Sequence, residues 1–193
     1  MVKLLSSQND KLLALIGVML FFIDQRTIIF SMLIFIYFNK FDVKQAKELY
    51  TIKKIINCIV YFIFSMLFIY VISIASKYTL QEFDEQQIVQ YFKQNEVTKL
   101  DIINTIIIVP IIEEIVFRGL FYKLLKSYFS ILTSMVISSI IFSVVHETIL
   151  ASVVLFSVGL ISCLSYERYR SIIYPIIIHS LFNLFMLLLI VYV

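Results

Sequence analysis

The sequence predicts an all-α protein, a polytopic membrane bundle of six to seven transmembrane helices. Three observations predict it. Of the 193 residues, 61% are hydrophobic and only 15% are charged, where soluble domains run at roughly 45–50% and about 25%. The mean hydropathy is +0.98. Apolar runs long enough to cross a bilayer, about 20 residues each, recur along the chain, and the charged segments between them alternate in character.

Taken in order, the N-terminal region holds two apolar stretches of about a dozen residues, Leu12 to Ile23 and Thr27 to Phe38, parted by Asp24-Gln25-Arg26. They form two short helices or one longer helix with a polar centre, and charge bookkeeping favours two. Spanning runs follow at Ile55 to Ser76, Ile102 to Leu125, Ser127 to His146 and Ser171 to Val193, with a shorter uncharged run from Ile149 to Tyr166. The segment Asn39 to Lys54 carries Lys40, Lys44, Lys47, Lys53 and Lys54, which places it on the cytoplasmic side. The acidic loop from Lys77 to Asp101 suits the outside, Lys123 and Lys126 the inside, Glu147 the outside, and Glu167 to Arg170 the inside. Two N-terminal helices then make seven spans with Lys3 and Lys11 inside, and one makes six.

The rest of the composition narrows the class. Three Gly and two Pro leave no flexible linker, so one integral membrane domain is expected. The two cysteines, Cys58 and Cys163, both fall in apolar segments and read as packing residues, not a disulfide framework. The first apolar run lacks a small-residue cleavage site and reads as retained. Heavy use of Ile, Lys, Phe, Tyr and Asn without Trp points to an AT-rich, bacterial genome and a plasma-membrane location. Nothing points to nucleic acid.

The informative residues are those a membrane should exclude. Glu113 and Glu114 stand side by side inside Ile-Val-Pro-Ile-Ile-Glu-Glu-Ile-Val-Phe. An ionised carboxylate at bilayer depth is costly, and a neighbouring like charge makes it more so. Arg118 follows Glu114 at i,i+4; Phe142 precedes His146 at the same spacing; Asn183 follows His179 likewise. His146 and His179 are the only two histidines. Three helices thus present polar stripes that avoid lipid by meeting inside the bundle. Each proline lies four residues before a polar one, Pro110 before Glu114 and Pro175 before His179. A proline inside a helix frees a carbonyl and opens a kink, so both are expected to make room for a polar cavity. Taken singly, Glu114 with Arg118 reads as a buried salt bridge and His179 with Asn183 as interhelical glue; Glu113 is the acid left without a structural job.

In this order, Glu113-Glu114-x-x-x-Arg118-Gly119, Phe142-x-x-x-His146 and His179-x-x-x-Asn183 resemble the CPBP family of membrane proteins: type II CAAX prenyl endopeptidases, bacteriocin-processing and abortive-infection-like proteins. Pro110 and Arg170-Ser171-Ile172-x-x-Pro175 agree with it as flanks. The resemblance covers about half the chain, from Asp101 to Val193, making 101–193 the catalytic helix core and 1–100 the N-terminal helices and outer loop. It implies intramembrane proteolysis, with Glu113 corresponding to the catalytic glutamate, Glu114 and Arg118 to supporting positions, and His146, His179 and Asn183 to the other site residues.

The groups present suit such chemistry. No Ser or Cys in the motifs pairs with a base as a nucleophile would. Glu113 is the natural base for a water, His146 can orient that water, and His179 with Asn183 can donate to the oxyanion. A metal remains open: Glu113, His146 and His179 make a His2Glu zinc set with water in the fourth position, although His-Glu-x-x-His is absent. The resemblance to prenyl endopeptidases favours a glutamate-activated water and no obligatory metal. The expected substrate is a hydrophobic or membrane-delivered peptide or protein. The alternative is a non-catalytic member that binds a peptide or partner, as an immunity or scaffold protein would; a proton carrier lacks the further polar residues a pathway needs. One tension concerns depth. Counted from Ser127, His146 lies ~28 Å along its helix, too far to meet Glu113. Either that helix begins later, after an interfacial stretch from Leu120 to Tyr128, or the helices tilt.

Overall fold

The computed structural model describes residues 5, 7–39, 97–146 and 149–192, with scattered helical positions between 52 and 70. The expected span from Ile55 to Ser76, the lysine-rich segment ending at Lys54, most of the acidic loop, Cys58 and Glu147 lie wholly or largely outside the described residues. Those described are helical, with no strand among them. The helices are α1 (Gln8–Ile23), α2 (Ile28–Asn39), a long run α3 (residues 99–126), α4 (Ile131–Val144), α5 (Ile149–Tyr169) and α6 (Ile173–Tyr192).

The N-terminal region is a pair of short helices, as the charge bookkeeping favours. Ser7 and Asp10 close a reciprocal capping box at the start of α1. Asp24 ends it. The Asp24 carboxylate accepts the Arg26 N–H at 2.8 Å and pairs with the Arg26 guanidinium at 3.1 Å; these bonds hold its carboxyl below the usual carboxylate range. Thr27 N–H returns to the Asp24 carbonyl. Residues 24–27 thereby fold into a turn instead of continuing the helix.

The run α3 opens with a second capping box, between Thr98 and Asp101. It then alternates: α-helix to Ile103, π-helix over Asn104–Ile108, α-helix over Val109–Glu114, π-helix over Ile115–Tyr122, and α-helix over Lys123–Lys126. Such wide turns are rare and gather at functional sites. Pro110 stands buried at the junction of the first π segment with the α segment that carries both glutamates.

The depth tension resolves by a later start. Ser130, whose hydroxyl accepts the Thr133 N–H, caps α4, so the helix begins at Ile131 rather than Ser127. Its 14 residues span ~21 Å. The stretch from Leu120 is not an interfacial strip, however: Leu120, Tyr122 and Leu124 are buried. The two prolines also differ. Pro110 is interior, whereas Pro175 lies in the first turn of α6, where a missing N–H costs nothing. The expectation that both remove an interior helical hydrogen bond is corrected for Pro175.

Packing converges on α3. Val18 of α1 and Phe35 of α2 cluster with Ile115 and Leu120, and Phe117 clusters with Phe142, Leu155, Val158 and Phe182 from α4, α5 and α6. Close approaches rest on small residues. A Cβ at Gly119 would lie 2.4 Å from the Phe35 ring, and one at Gly159 would lie 3.0 Å from the Ser139 Cα.

Polarity runs inside out. Glu114, Arg118, His179 and many serines are buried, while Leu132, Ile23, Leu100 and Phe64 are 65–71% exposed. Yet no helix among the described residues is long and apolar enough to cross a membrane. The spanning helices expected from the apolar runs are not present in that form: α3 is divided into short α and π segments, α4 has 14 residues, and α1 has 16.

Candidate active site

The two glutamates end the central α segment of α3, at the point where the second π segment begins. They are consecutive on a helix, so their side chains diverge by roughly 100°. That angle gives them different neighbours.

Glu114 is fully buried, with a charged partner at one oxygen and hydrogen-bond donors at the other. Its Oε2 lies 3.1 Å from Arg118 Nε, with both side chains 0% exposed. The Arg118 N–H is not aimed along that contact, so the pair is ionic rather than a well-formed hydrogen bond. Glu114 Oε1 accepts from Ser162 Oγ at 3.3 Å and from His179 Nδ1 at 3.1 Å. Arg118 Nη2 donates to the Gly159 carbonyl at 3.2 Å, and its guanidinium lies 4.4 Å from the Phe142 ring centroid, a cation–π distance. A buried pair of this kind holds only if extra donors and acceptors surround it, and α5 and α6 supply them.

Glu113 has a different setting. Its side chain is 17% exposed, yet its Oε2 atom is buried without a hydrogen-bond donor. That oxygen lies 3.7 Å from His179 Nε2 and 3.9 Å from His146 Nε2. Both separations are too long for a direct hydrogen bond and fit a bridging molecule.

The histidine tautomers follow from the other ring nitrogens. His146 Nδ1 meets the Phe142 carbonyl at 2.8 Å, and His179 Nδ1 meets the Glu114 carboxylate. Both partners only accept, so each Nδ1 carries a proton and each ring turns its Nε2 toward Glu113. Phe142 braces both rings, at 5.0 Å from His146 and 5.5 Å from His179. Glu113 Oε2 and the two Nε2 atoms therefore face one gap.

The structure thus brings Glu113, Glu114, Arg118, His146 and His179 together. Asn183, one turn beyond His179, donates its Nδ2 to the Thr105 carbonyl at 2.8 Å. Gly159, Ser162 and Thr105 are contacts sequence reasoning missed. Serines abound in α4 and α5, and a backbone carbonyl leaves no sequence signal. Among the described residues no group of three or more His, Cys, Asp or Glu is gathered closely enough to count as a metal site. Cys163 is a free, buried thiol, in keeping with a packing role.

Further along the bundle, Lys126 and Tyr122 of α3 both bond Glu167 of α5, the tyrosine at 3.0 Å. Lys126 and Glu167 thus meet in the bundle.

The all-helical core thus sets two glutamates of unequal burial against two histidines from separate parts of the chain. The family model for type II CAAX prenyl endopeptidase Rce1-like proteins matches residues 96–185, just under half of the chain and all of this site. Over this segment the chain is similar to that family of prenyl endopeptidases. No curated protein and no solved structure gives a match.

Proposed function

We propose that this protein is an integral membrane endopeptidase that hydrolyses a peptide bond with a water activated by Glu113. The observation that carries it is the buried Glu113 Oε2, which lacks a donor and faces the Nε2 atoms of His146 and His179 at 3.9 and 3.7 Å. A water in that gap gives one hydrogen to Glu113 and the other to a histidine Nε2, which turns its lone pair away from both. The open side lies toward Glu113 and His146, whose side chains are 17% and 25% exposed, and the peptide carbonyl arrives there.

In the reaction Glu113 takes a proton from the water as its oxygen bonds the carbonyl carbon. The tetrahedral intermediate collapses, the C–N bond breaks, and Glu113 returns the proton to the leaving amine. Glu114 keeps His179 in the correct tautomer and is itself held by Arg118 and Ser162.

Lipid surroundings are supported by the inverted polarity. Large apolar side chains face outward along α1, α2 and α4, more than soluble monomers usually carry, and the charged groups meet inside. The substrate is accordingly a hydrophobic or membrane-delivered peptide.

The test is a comparison of membrane peptides, by mass spectrometry, from cells carrying the wild type or Glu113→Ala. An uncut precursor accumulates in the variant and names the substrate. Identical peptide profiles, with the variant folded and inserted, would show a binding protein instead. Treating the wild type with a chelator leaves cleavage unchanged; loss that zinc restores would replace the base mechanism with a metal one.

A further inference from the structure

We infer that Asn183 is a positioning residue: it supplies the hydrogen bond that Pro110 removes from α3, and so fixes where the two glutamates stand. Its structural part stands alone, and its effect on cleavage rests on the proposed peptidase activity.

The register of α3 carries the inference. In the first π segment the Val109 N–H donates to the Asn104 carbonyl, five residues back. Continued by one residue, the same register pairs the N–H of residue 110 with the Thr105 carbonyl. Residue 110 is proline and has no N–H. The Thr105 carbonyl instead accepts from Asn183 Nδ2 at 2.8 Å. A side chain from α6 thus stands in for the missing main-chain donor. This is the hydrogen bond Asn183 makes among the described residues.

The location gives the bond its consequence. Val109–Glu114 is the α segment that begins at this junction and ends in the glutamates. Helix α6 grips α3 on both sides of Pro110: Asn183 holds Thr105 before it, and His179 holds Glu114 after it. The two donors are one turn apart on α6, so a single rigid helix face sets the register of both segments. Without Asn183, a part-buried carbonyl loses its donor and the π turn loses the bond that stabilises its width. The α segment can then rewind by a fraction of a residue. A base must lie within hydrogen-bond reach of its water, and misplacement by about 1 Å is enough to cost about 100-fold in rate.

This role differs from direct donation to the oxyanion, and a double substitution separates the two. Pro110→Ala restores an N–H at residue 110 that can bond Thr105 on its own. The full chain is purified in detergent micelles as wild type, Asn183→Ala, Pro110→Ala and the double variant, and thermal unfolding is recorded. The same four are expressed in cells, and accumulation of uncut membrane precursor is measured by mass spectrometry at growth temperature and about 10 °C below it. Asn183→Ala is expected to melt about 2–4 °C lower and to accumulate precursor severalfold, even at the lower temperature where it is fully folded. Adding Pro110→Ala returns both readouts most of the way to wild type. Should Asn183→Ala yield no folded protein, recovery of folded yield in the double variant is the equivalent result.

A double variant as impaired as Asn183→Ala in melting and in cleavage overturns the inference. Restored melting with cleavage still lost assigns Asn183 to the reacting atoms and overturns the positioning role. Full recovery of cleavage in Asn183→Ala on cooling overturns it too, in favour of simple stabilisation. Glu113→Ala, run alongside, distinguishes the two layers: if it accumulates nothing, the peptidase reading fails while the melting comparison still decides the tie.

Discussion

The two halves of the site, built on adjacent residues, are opposites. Around Glu114 solvent is excluded, Oε1 accepts two hydrogen bonds, Oε2 is held by the Arg118 charge alone, and three helices contribute. Around Glu113 there is partial exposure, and a buried oxygen with neither a donor nor a paired arginine faces two histidine Nε2 atoms. The first half is built to stay still. The second is built to hold something it does not own. A helical step of one residue separates these roles, because neighbouring side chains leave a helix in different directions.

Substitutions that respect or violate this division test it. The largest effect is expected at Glu113→Gln, which keeps shape and removes the base. Cleavage should fall by about 10²–10⁴-fold, with the melting temperature within about 2 °C of wild type. A large drop in melting would show that Glu113 is structural after all. Next comes Arg118→Met, which strands a fully buried carboxylate. It should destabilise the protein by about 3–5 kcal/mol, seen as loss of folded material in detergent. Adding Glu114→Gln should recover part of it, because the stranded charge is then gone. The smallest contrast lies between the histidines. His146→Ala and His179→Ala should both slow cleavage, but only His179→Ala should cost stability, by about 1–3 kcal/mol, since it alone bonds Glu114 and is 2% exposed. Equal melting losses would erase the distinction between an open and a closed side.

Much of this site was legible in the chain. Acids, arginine and histidines in apolar surroundings are expensive, so they must meet; that reasoning found Glu113, Glu114, Arg118, His146 and His179 before any coordinates. The i,i+4 spacing found the Glu114–Arg118 pair outright, because helical neighbours are a property of sequence. The same spacing misled for Asn183. It lies on the His179 stripe, but its partner is a carbonyl on another helix. Pro175 misled too, since its effect depends on whether it falls in a helix's first turn or its interior, and that depends on a boundary. The start of α4 moved from Ser127 to Ile131 for a comparable reason: Ser130 caps the helix, and four apolar or hydroxyl residues before it gave no signal of a turn.

By itself the sequence determined that this protein is helical, that its charged residues are sequestered, and which of them converge. Those conclusions follow from solvation cost and helical periodicity, which act locally and need no partner. Only the tertiary structure decided which glutamate is closed and which open, which ring nitrogen faces the gap, and that an asparagine on α6 replaces the donor absent at Pro110. Each of these is set by distances between segments far apart in the chain, where a shift of one ångström separates a hydrogen bond from a gap.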